Sequence, residues 1–105
     1  MTDFQAILEQ EGETVTWYKR TVTGEIVSWS TESVKMIVQP VRAEEIILQS
    51  GYTLEDYVKV FTTAAIKQKD KVLWESAQWE ILPVQPIKLR GVVQYYRATC
   101  RRLLQ

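Results

Sequence analysis

The stretch that decides the fold is DKVLWESAQWEILPV, residues 70–84. Two apolar runs flank a short polar tip, ESAQ. Val72 and Trp74 alternate onto one side of the first run, and Trp79 and Ile81 do so in the second. This period of two residues predicts a β-hairpin. The opposite faces are also partly apolar, at Leu73, Leu82 and Val84. We therefore expect a hairpin that is covered on both faces, either entirely by its own core or on one face by another molecule.

Other segments are rich in β-branched and aromatic residues, which favour strands. These predicted strands are 14–21, 26–30, 34–39, 56–63 and 92–100. The segment 23–25, Thr-Gly-Glu, indicates a turn between the first two of them. Pro40 is expected to end the third, because proline cannot donate to a strand ladder. Pro83 and Pro86 predict a bend after the hairpin, with a basic loop over residues 85–91.

A short helix is predicted at the start of the chain, over residues 2–11. Thr2 and Gln5 have the spacing of a capping box, and Gly12 is suited to end the helix. One face of the helix is apolar, at Phe4, Ile7 and Leu8. A helix of about ten residues is too short to be stable alone, so we expect it to dock on the rest of the protein.

A second, shorter helix is predicted over residues 43–49, with Ile46 and Ile47 pointing inward and Gly51 as its stop. The chain has 105 residues, which is one domain's worth. We divide it into an N-terminal helix (1–12), a small β-barrel (13–100) and a basic tail (101–105). The expected fold is mainly β: a small barrel or sandwich of six to seven short strands, with the two short helices.

The composition argues against an enzyme. The sequence contains no histidine, which removes the commonest general base and transition-metal ligand. Cys100 is the single cysteine, and without a histidine to activate it we expect a buried, inert thiol. The four glycines are isolated, so no phosphate-binding loop is indicated. We expect no cofactor, no metal and no catalytic residue.

The charge is balanced overall but unevenly placed along the chain. All 13 acids lie within residues 1–80, whereas five of the 13 bases lie in residues 81–105. These five bases are Lys88, Arg90, Arg97, Arg101 and Arg102. Such asymmetry suits head-to-tail self-association, an acidic partner or a nucleic-acid surface. The alternative is that the C-terminal bases pair with acids on the protein's own surface.

The order of the segments resembles the head-closure, or head–tail joining, proteins of tailed phages and prophages. The matching segments, within residues 13–102, are VTWY with its TG turn, VQP, AEEII up to a glycine, DYVKV, DKV, WEILPV and YYRA. The resemblance implies a small β-barrel that assembles into a ring, typically of about twelve subunits, although isolated copies can be monomers. Its partners would be the portal or adaptor ring and the tail proteins.

The resemblance also implies where such a protein acts. A loop within residues 40–56 would point into the channel and help retain DNA, which passes through without sequence-specific binding. Its charged candidates are Arg42, Glu44 and Glu45. We expect location in the virion, and in the host cytoplasm during assembly. No apolar run reaches the roughly 18 to 20 residues that span a bilayer, so no membrane association is expected.

Two hypotheses compete for the remaining aromatic and basic residues. As a ring protein, the chain would use them at a subunit or partner interface. The candidates for that interface are Trp29, Tyr95, Arg97, Arg101 and Arg102. As a nucleic-acid-binding small barrel, it would stack bases and hold phosphates through an aromatic and basic cluster. That cluster is Tyr95, Tyr96, Arg97, Arg101 and Arg102. Trp29 could equally belong to the core.

Overall fold

The computed structural model describes residues 3–48 and 50–103. It contains one helix, α1 (Asp3–Glu11), and six strands. The strands are β1 (Glu13–Thr23), β2 (Ile26–Pro40), β3 (Tyr57–Thr62), β4 (Lys71–Trp74), β5 (Ala77–Leu89) and β6 (Val92–Arg102). All six pair antiparallel in a closed barrel of order β1-β2-β3-β6-β5-β4. The mainly β prediction is therefore confirmed, with the barrel rather than the sandwich.

The predicted hairpin is β4 with β5. Val72 pairs with Trp79, and both side chains point into the barrel, where they are buried. The turn is shorter than the polar ESAQ tip, because only Glu75 and Ser76 lie between the strands. Both have positive φ, 50° and 63°, as a tight two-residue hairpin turn requires. On the outer face Leu73 is exposed, so the hairpin's own domain covers only its inner face fully.

The barrel interior is an apolar cluster to which every strand contributes. Its buried members are Val15, Trp17, Met36, Val58, Val60, Ile66, Val72, Trp79, Ile81, Ala98 and Cys100. Burial of a large aliphatic side chain contributes about 1.5–3 kcal/mol. The alternation of buried and accessible residues along β3 and β6 follows the pleat, so that one face of each strand lines the core.

Two predicted strands, 26–30 and 34–39, form one continuous strand, β2. The polar residues between them, 31–33, were expected to separate the strands. They instead pair with β1, with Glu32 opposite Trp17 and Ser33 opposite Thr16. Neither glycine nor proline interrupts residues 26–39, so the backbone has no reason to leave the ladder.

The predicted internal helix, 43–49, is wrong. The structure has only a 3-10 turn at Ala43–Glu45, and Ile46 already has extended backbone angles. The carboxylate of Glu45 accepts the Arg42 backbone N–H at 2.9 Å, which closes the turn locally. Ile47 was expected to point inward and is 92% exposed. Residue 49 lies outside the described residues. Gly51 does occupy a turn, with φ 88°.

The bend and basic loop predicted after the hairpin are also wrong, because β5 continues to Leu89. A register shift between Ile81 and Val84 accommodates Pro83, and Pro86 lies opposite Tyr96. The backbone of Ile81 still bonds to Lys69 and Asp70, and beyond it β5 pairs with β6 alone, so its other edge is open there. Prolines are tolerated at such bulges and edges. The β5–β6 turn is Arg90-Gly91, with both φ values positive.

The final strand extends further than predicted. Because β6 reaches Arg102, Arg101 and Arg102 lie in the barrel wall and not in a basic tail. Residues 104 and 105 of the predicted tail lie outside the described residues.

Helix α1 docks on the outside of the barrel. The Phe4 ring stacks on Tyr95 of β6, with centroids 4.2 Å apart, and Leu8 is buried. Lys35 Nζ of β2 donates to the Glu9 carbonyl at 3.2 Å. The predicted helix end is confirmed, since Gly12 N–H donates to the Leu8 carbonyl at 2.8 Å. The Thr2 half of the capping box falls outside the described residues. Within residues 3–48 and 50–103, no helix is long and apolar enough to cross a membrane.

The strand directions place the connections at two distinct ends of the barrel. Strands β1, β3 and β5 all run toward one end, because every neighbouring pair is antiparallel. That end, the hairpin end, carries the β1–β2 turn, the β5–β6 turn and the connection 63–70. The opposite end, the loop end, carries the loop 41–56 and the β4–β5 turn. The two long hairpins stand on opposite sides of the barrel, separated by β3 on one side and β4 on the other.

Candidate functional site

The β1–β2 hairpin extends well beyond the barrel. β1 pairs with β4 only as far as Tyr18, and β2 pairs with β3 only from Ile37. We call residues 19–30 the arm. Every residue from 21 to 30 is exposed. The arm has five cross-strand pairs, from Lys19–Ser30 to Thr23–Ile26. At about 3.3 Å per residue it projects roughly 16 Å, counted along the strands.

The two faces of the arm differ in polarity. Val22 pairs with Val27, and Trp29 lies opposite Arg20 on that same face. Val22, Val27 and Trp29 are 50%, 44% and 42% exposed, so this face is apolar and uncovered. The other face carries an ion pair between Lys19 and Glu32. Thr21, Ser28 and Ile26 share that face. An exposed ribbon with one apolar face and open strand edges is a typical place for another chain to bind.

Trp29, one of the predicted interface residues, is located on this apolar face. The Lys71 ammonium lies 4.6 Å from its ring centroid, a cation–π contact that holds the indole near the base of the arm. A cavity of about 310 Å³ lies beside it. Arg20, Lys69 and Leu82 also line this cavity. Trp29 is therefore oriented by a neighbour while much of its surface stays accessible.

Asp70 fixes the base of the arm, and sequence reasoning missed it. The residue is only 2% exposed. Its carboxylate accepts the indole N–H of Trp17 at 2.9 Å and the backbone N–H of Arg20 at 3.0 Å. It also accepts the Lys67 N–H at 3.2 Å, and its backbone carbonyl accepts the Ile81 N–H at 2.8 Å. One side chain thus ties the point where β1 leaves the barrel to the 63–70 connection.

The predicted aromatic and basic cluster is split between the two faces of β6. Tyr95, Arg97 and Arg101 lie on the outer face, whereas Tyr96 and Arg102 lie on the side of the core residues Ala98 and Cys100. The ring of Tyr95 is stacked against α1. Arg97 donates to the side-chain carbonyl of Gln85. The structure does not bring the five residues together as one surface.

The two C-terminal arginines are held by acids of the same chain. Arg101 pairs with Glu80 at 3.0 Å. Arg102 pairs with Asp56, whose carboxylate is buried. The pKa of Asp56 lies below its ordinary value, first because of the backbone N–H of Thr53 and then because of the Arg102 charge. These contacts match the alternative in which the basic C-terminal residues pair with the protein's own surface.

The candidate channel loop contains one anchored acid and two exposed charges. Glu45 pairs with Lys59 at 3.2 Å. Its pKa is lowered by the Arg42 backbone N–H and then by Lys59. The side chains of Arg42 and Glu44 are exposed. Two apolar residues next to them, Ile47 and Leu48, are also exposed.

A cavity of about 470 Å³ opens at the loop end. We call it the barrel mouth. Its apolar lining is Val38, Pro40, Val41, Leu54, Tyr57, Val58, Trp74 and Trp79. Its charged lining is Glu55, Glu75 and Arg102, each of which is exposed. The mouth combines aromatic surface with acidic groups, a combination that suits an apolar element flanked by bases.

Among residues 3–48 and 50–103, no group of three or more His, Cys, Asp or Glu side chains is placed to bind a metal ion. Cys100 is fully buried in the barrel, and burial raises the pKa of its thiol to about 12. The thiol is therefore protonated at neutral pH. Comparison of the sequence with models of protein families and with curated proteins gives no match.

Proposed function

We propose that this chain is a structural subunit that joins the head of a tailed phage or prophage to its tail, acting in an oligomeric ring. The proposal starts from the order of segments that resembles the head-closure proteins. A small closed barrel with one short helix agrees with the fold that this resemblance implies. The role would be mechanical and adhesive, with no chemistry required of the chain.

The observation that carries the proposal is the exposed arm. A monomeric protein that acted alone would gain little from an uncovered ribbon with Val22, Val27 and Trp29 on one face. A ring subunit needs such surfaces, because each copy must contact two neighbours and the rings above and below it. Exposed apolar residues at the β5–β6 turn, Leu89 and Val92, supply a second contact surface at the same end.

The loop 41–56 supports the part of the proposal that concerns DNA. Arg42 and Glu44 project from it, and Ile47 and Leu48 are exposed beyond the anchored Glu45. A loop whose base is held by the Glu45–Lys59 pair can present a fixed ring of side chains to a channel. The mixed charges would not bind DNA tightly, which suits a passage that must let the genome through.

The test is deletion of the gene from the phage or prophage that encodes it. We expect DNA-filled or partly emptied heads that lack tails, with tail assembly itself unaffected. Replacement of residues 46–48 by a Gly-Ser linker should leave the heads and tails joined but lower the fraction of heads that retain DNA. A genome with no portal, terminase or tail genes near this gene, or normal virions after its deletion, would refute the proposal.

Nucleic-acid binding through Tyr95, Tyr96, Arg97, Arg101 and Arg102 is the other hypothesis. It predicts affinity for DNA or RNA that falls steeply as salt is added. The pairing of Arg101 and Arg102 with acids, and of Tyr95 with Phe4, leaves this hypothesis with fewer available groups. A gel-shift titration with purified protein distinguishes the two.

A further inference from the structure

The two ends of the barrel differ in charge, and the difference is not visible in the linear sequence. The hairpin end carries Lys19, Arg20, Lys67, Lys69, Lys71, Lys88 and Arg90, against Glu25, Glu32, the buried Asp70 and Glu80, which lies opposite Lys71. The loop end carries Glu13, Glu44, Glu45, Glu55, Asp56 and Glu75, against Arg42, Lys59 and Arg102. One end is therefore basic and the other acidic.

The ion pairs within the chain sharpen this polarity. Lys19 pairs with Glu32 at the hairpin end, and Glu45–Lys59 and Asp56–Arg102 pair at the loop end. The bases outside these pairs at the hairpin end are Arg20, Lys67, Lys69, Lys71, Lys88 and Arg90. The acids outside them there are Glu25 and the buried Asp70, since Glu80 pairs with Arg101. At the loop end, the acids outside the ion pairs are Glu13, Glu44, Glu55 and Glu75. The base outside the ion pairs at this end is Arg42. The opposite ends of two molecules would therefore attract each other.

The shapes of the two ends are complementary as well. The hairpin end presents the apolar face of the arm, Val22, Val27 and Trp29. The loop end presents the barrel mouth, a concave site of about 470 Å³ with Trp74 and Trp79 in its lining. An aromatic anchor that enters an apolar pocket surrounded by charged groups is the usual arrangement at the centre of a protein interface.

We propose that the arm of one molecule docks in the barrel mouth of a second copy of this chain, so that copies associate head to tail. Charge selects the occupant, because the bases beside Trp29 at the base of the arm, Arg20, Lys69 and Lys71, would meet the mouth acids Glu55 and Glu75. A second copy is the partner whose complementary end the structure itself supplies.

A contact between unlike surfaces closes into a ring when the rotation per step permits, and otherwise forms an open chain. This head-to-tail contact rests on the proposed function only because that function expects a ring. The arm and the barrel mouth are the two surfaces that would form the ring. The loop residues Ile46 and Ile47 lie beside a separate cavity on the outer wall of the barrel, with Leu82 and Arg101. They would stay accessible to a channel when the mouth is occupied.

The experiment is charge reversal at each end, followed by sedimentation velocity over a range of protein concentrations. The mouth variant is Glu55→Lys with Glu75→Lys, and the hairpin variant is Lys67→Glu with Lys69→Glu, in the connection that Asp70 ties to the base of the arm. All four side chains are exposed, so folding should be unchanged, which circular dichroism checks. The control for the mouth variant is Glu9→Lys with Gln10→Lys on α1, away from both ends, which raises the net charge by three against four in the mouth variant.

We expect the wild type and the control to associate at low ionic strength and to dissociate as salt is added. Each reversal variant alone should associate at least about tenfold more weakly. An equimolar mixture of the two variants should recover association, because each then meets an end of opposite charge. Trp29→Ala should weaken association of the wild type without changing its salt dependence, since it removes an apolar anchor and no charge.

Wild-type protein that stays monomeric at all accessible concentrations, or variants that associate as the wild type does, would overturn the inference. So would a mixture that remains monomeric although both variants are folded. Association that occurs only when portal rings are added would also overturn self-docking, while leaving the proposed function standing. Normal virions after gene deletion would reject the proposed function, whatever the purified protein does.

Discussion

Replacement of Asp70 by alanine should destabilise the protein more than its position in a short connection suggests. The change removes the acceptor of the Trp17 indole N–H and of the Arg20 and Lys67 backbone N–H groups. Trp17 is 7% exposed, so its donor has little access to water after the change. Arg20 is partly buried, and Lys67 is exposed enough for water to replace the lost bond.

The magnitude follows from these differences in burial. A hydrogen bond to a charged acceptor contributes about 1.5–3 kcal/mol, and a buried donor left unpaired costs about 1–3 kcal/mol. The Trp17 bond counts in full, the Arg20 bond in part and the Lys67 bond least. We therefore expect the free energy of unfolding to fall by about 3–5 kcal/mol. That is a third or more of the roughly 5–15 kcal/mol that stabilises an ordinary domain.

Urea unfolding followed by far-UV circular dichroism measures this loss. Asp70→Asn is the matched control, because it keeps one carbonyl acceptor and the size of the side chain, and we expect a loss of about 1–2 kcal/mol. A double-mutant cycle with Trp17→Phe should show a coupling of about 1–2 kcal/mol. An Asp70→Ala protein within about 1 kcal/mol of the wild type, or a cycle without coupling, would refute the reasoning.

Three further outcomes are expected. Cys100 is buried with a pKa of about 12, so Ellman's reagent should react with it only after unfolding in urea; rapid reaction of the folded protein would contradict the structure. The lowered pKa of Asp56, due first to the Thr53 N–H, means that its contribution to stability is complete above the ordinary value of 3.8 and is lost as pH falls through the lower folded value. Asp56→Asn should therefore flatten the acid side of the stability–pH curve, and an unchanged curve would show that Asp56 does not contribute. Replacement of Glu75-Ser76 by Asn-Gly, the pair preferred at two positive-φ turn positions, should raise stability by about 1 kcal/mol in urea titration, and a decrease would contradict the turn geometry.

The elements predicted correctly are those whose signal is local. Val72 and Trp79 alternate with accessible neighbours, and that alternation survives in the barrel because one face of each strand must be dry. Helix α1 was predicted from its spacing and its glycine stop, both of which lie within a few residues. The closing of the sheet into a barrel was one of two predicted options, and the pairing of β1 with β4 decides it.

The strands 14–21 and 26–30 and the turn between them were predicted, but the continuation of β2 through residues 31–33 was not. The residues 31–33 are polar on both faces, and nothing in the sequence distinguishes an exposed strand from a loop there. The prediction of an internal helix over residues 43–49 was wrong for a different reason. Its Ala-Glu-Glu start favours a helix, but the two β-branched isoleucines that follow disfavour one, and Glu45 is used to close a single turn.

Much of the candidate site could not be predicted from the sequence, because its contacts join residues that are far apart along the chain. Asp70 meets Trp17 across 53 residues and Arg102 meets Asp56 across 46, so no local motif announces either pair. The C-terminal bases were interpreted either as one positive surface or as partners of acids on the protein's own surface, and the ion pairs of Arg101 and Arg102 agree with the second interpretation. The polarity of the molecule comes instead from which turns share an end of the barrel, and that is a property of the topology.

The arm and its Asp70 anchor are coupled by the energetics of a two-stranded ribbon. An isolated hairpin is marginally stable in water, because few contacts offset the entropy of ordering it. The bond from Asp70 to the Arg20 N–H fixes the ribbon where it leaves the barrel, so less order has to be imposed when a partner binds. Asp70→Asn, which leaves the core nearly intact, should therefore weaken head-to-tail association more than it weakens folding. Equal self-association of Asp70→Asn and wild type in sedimentation velocity would show that the arm is ordered without its anchor.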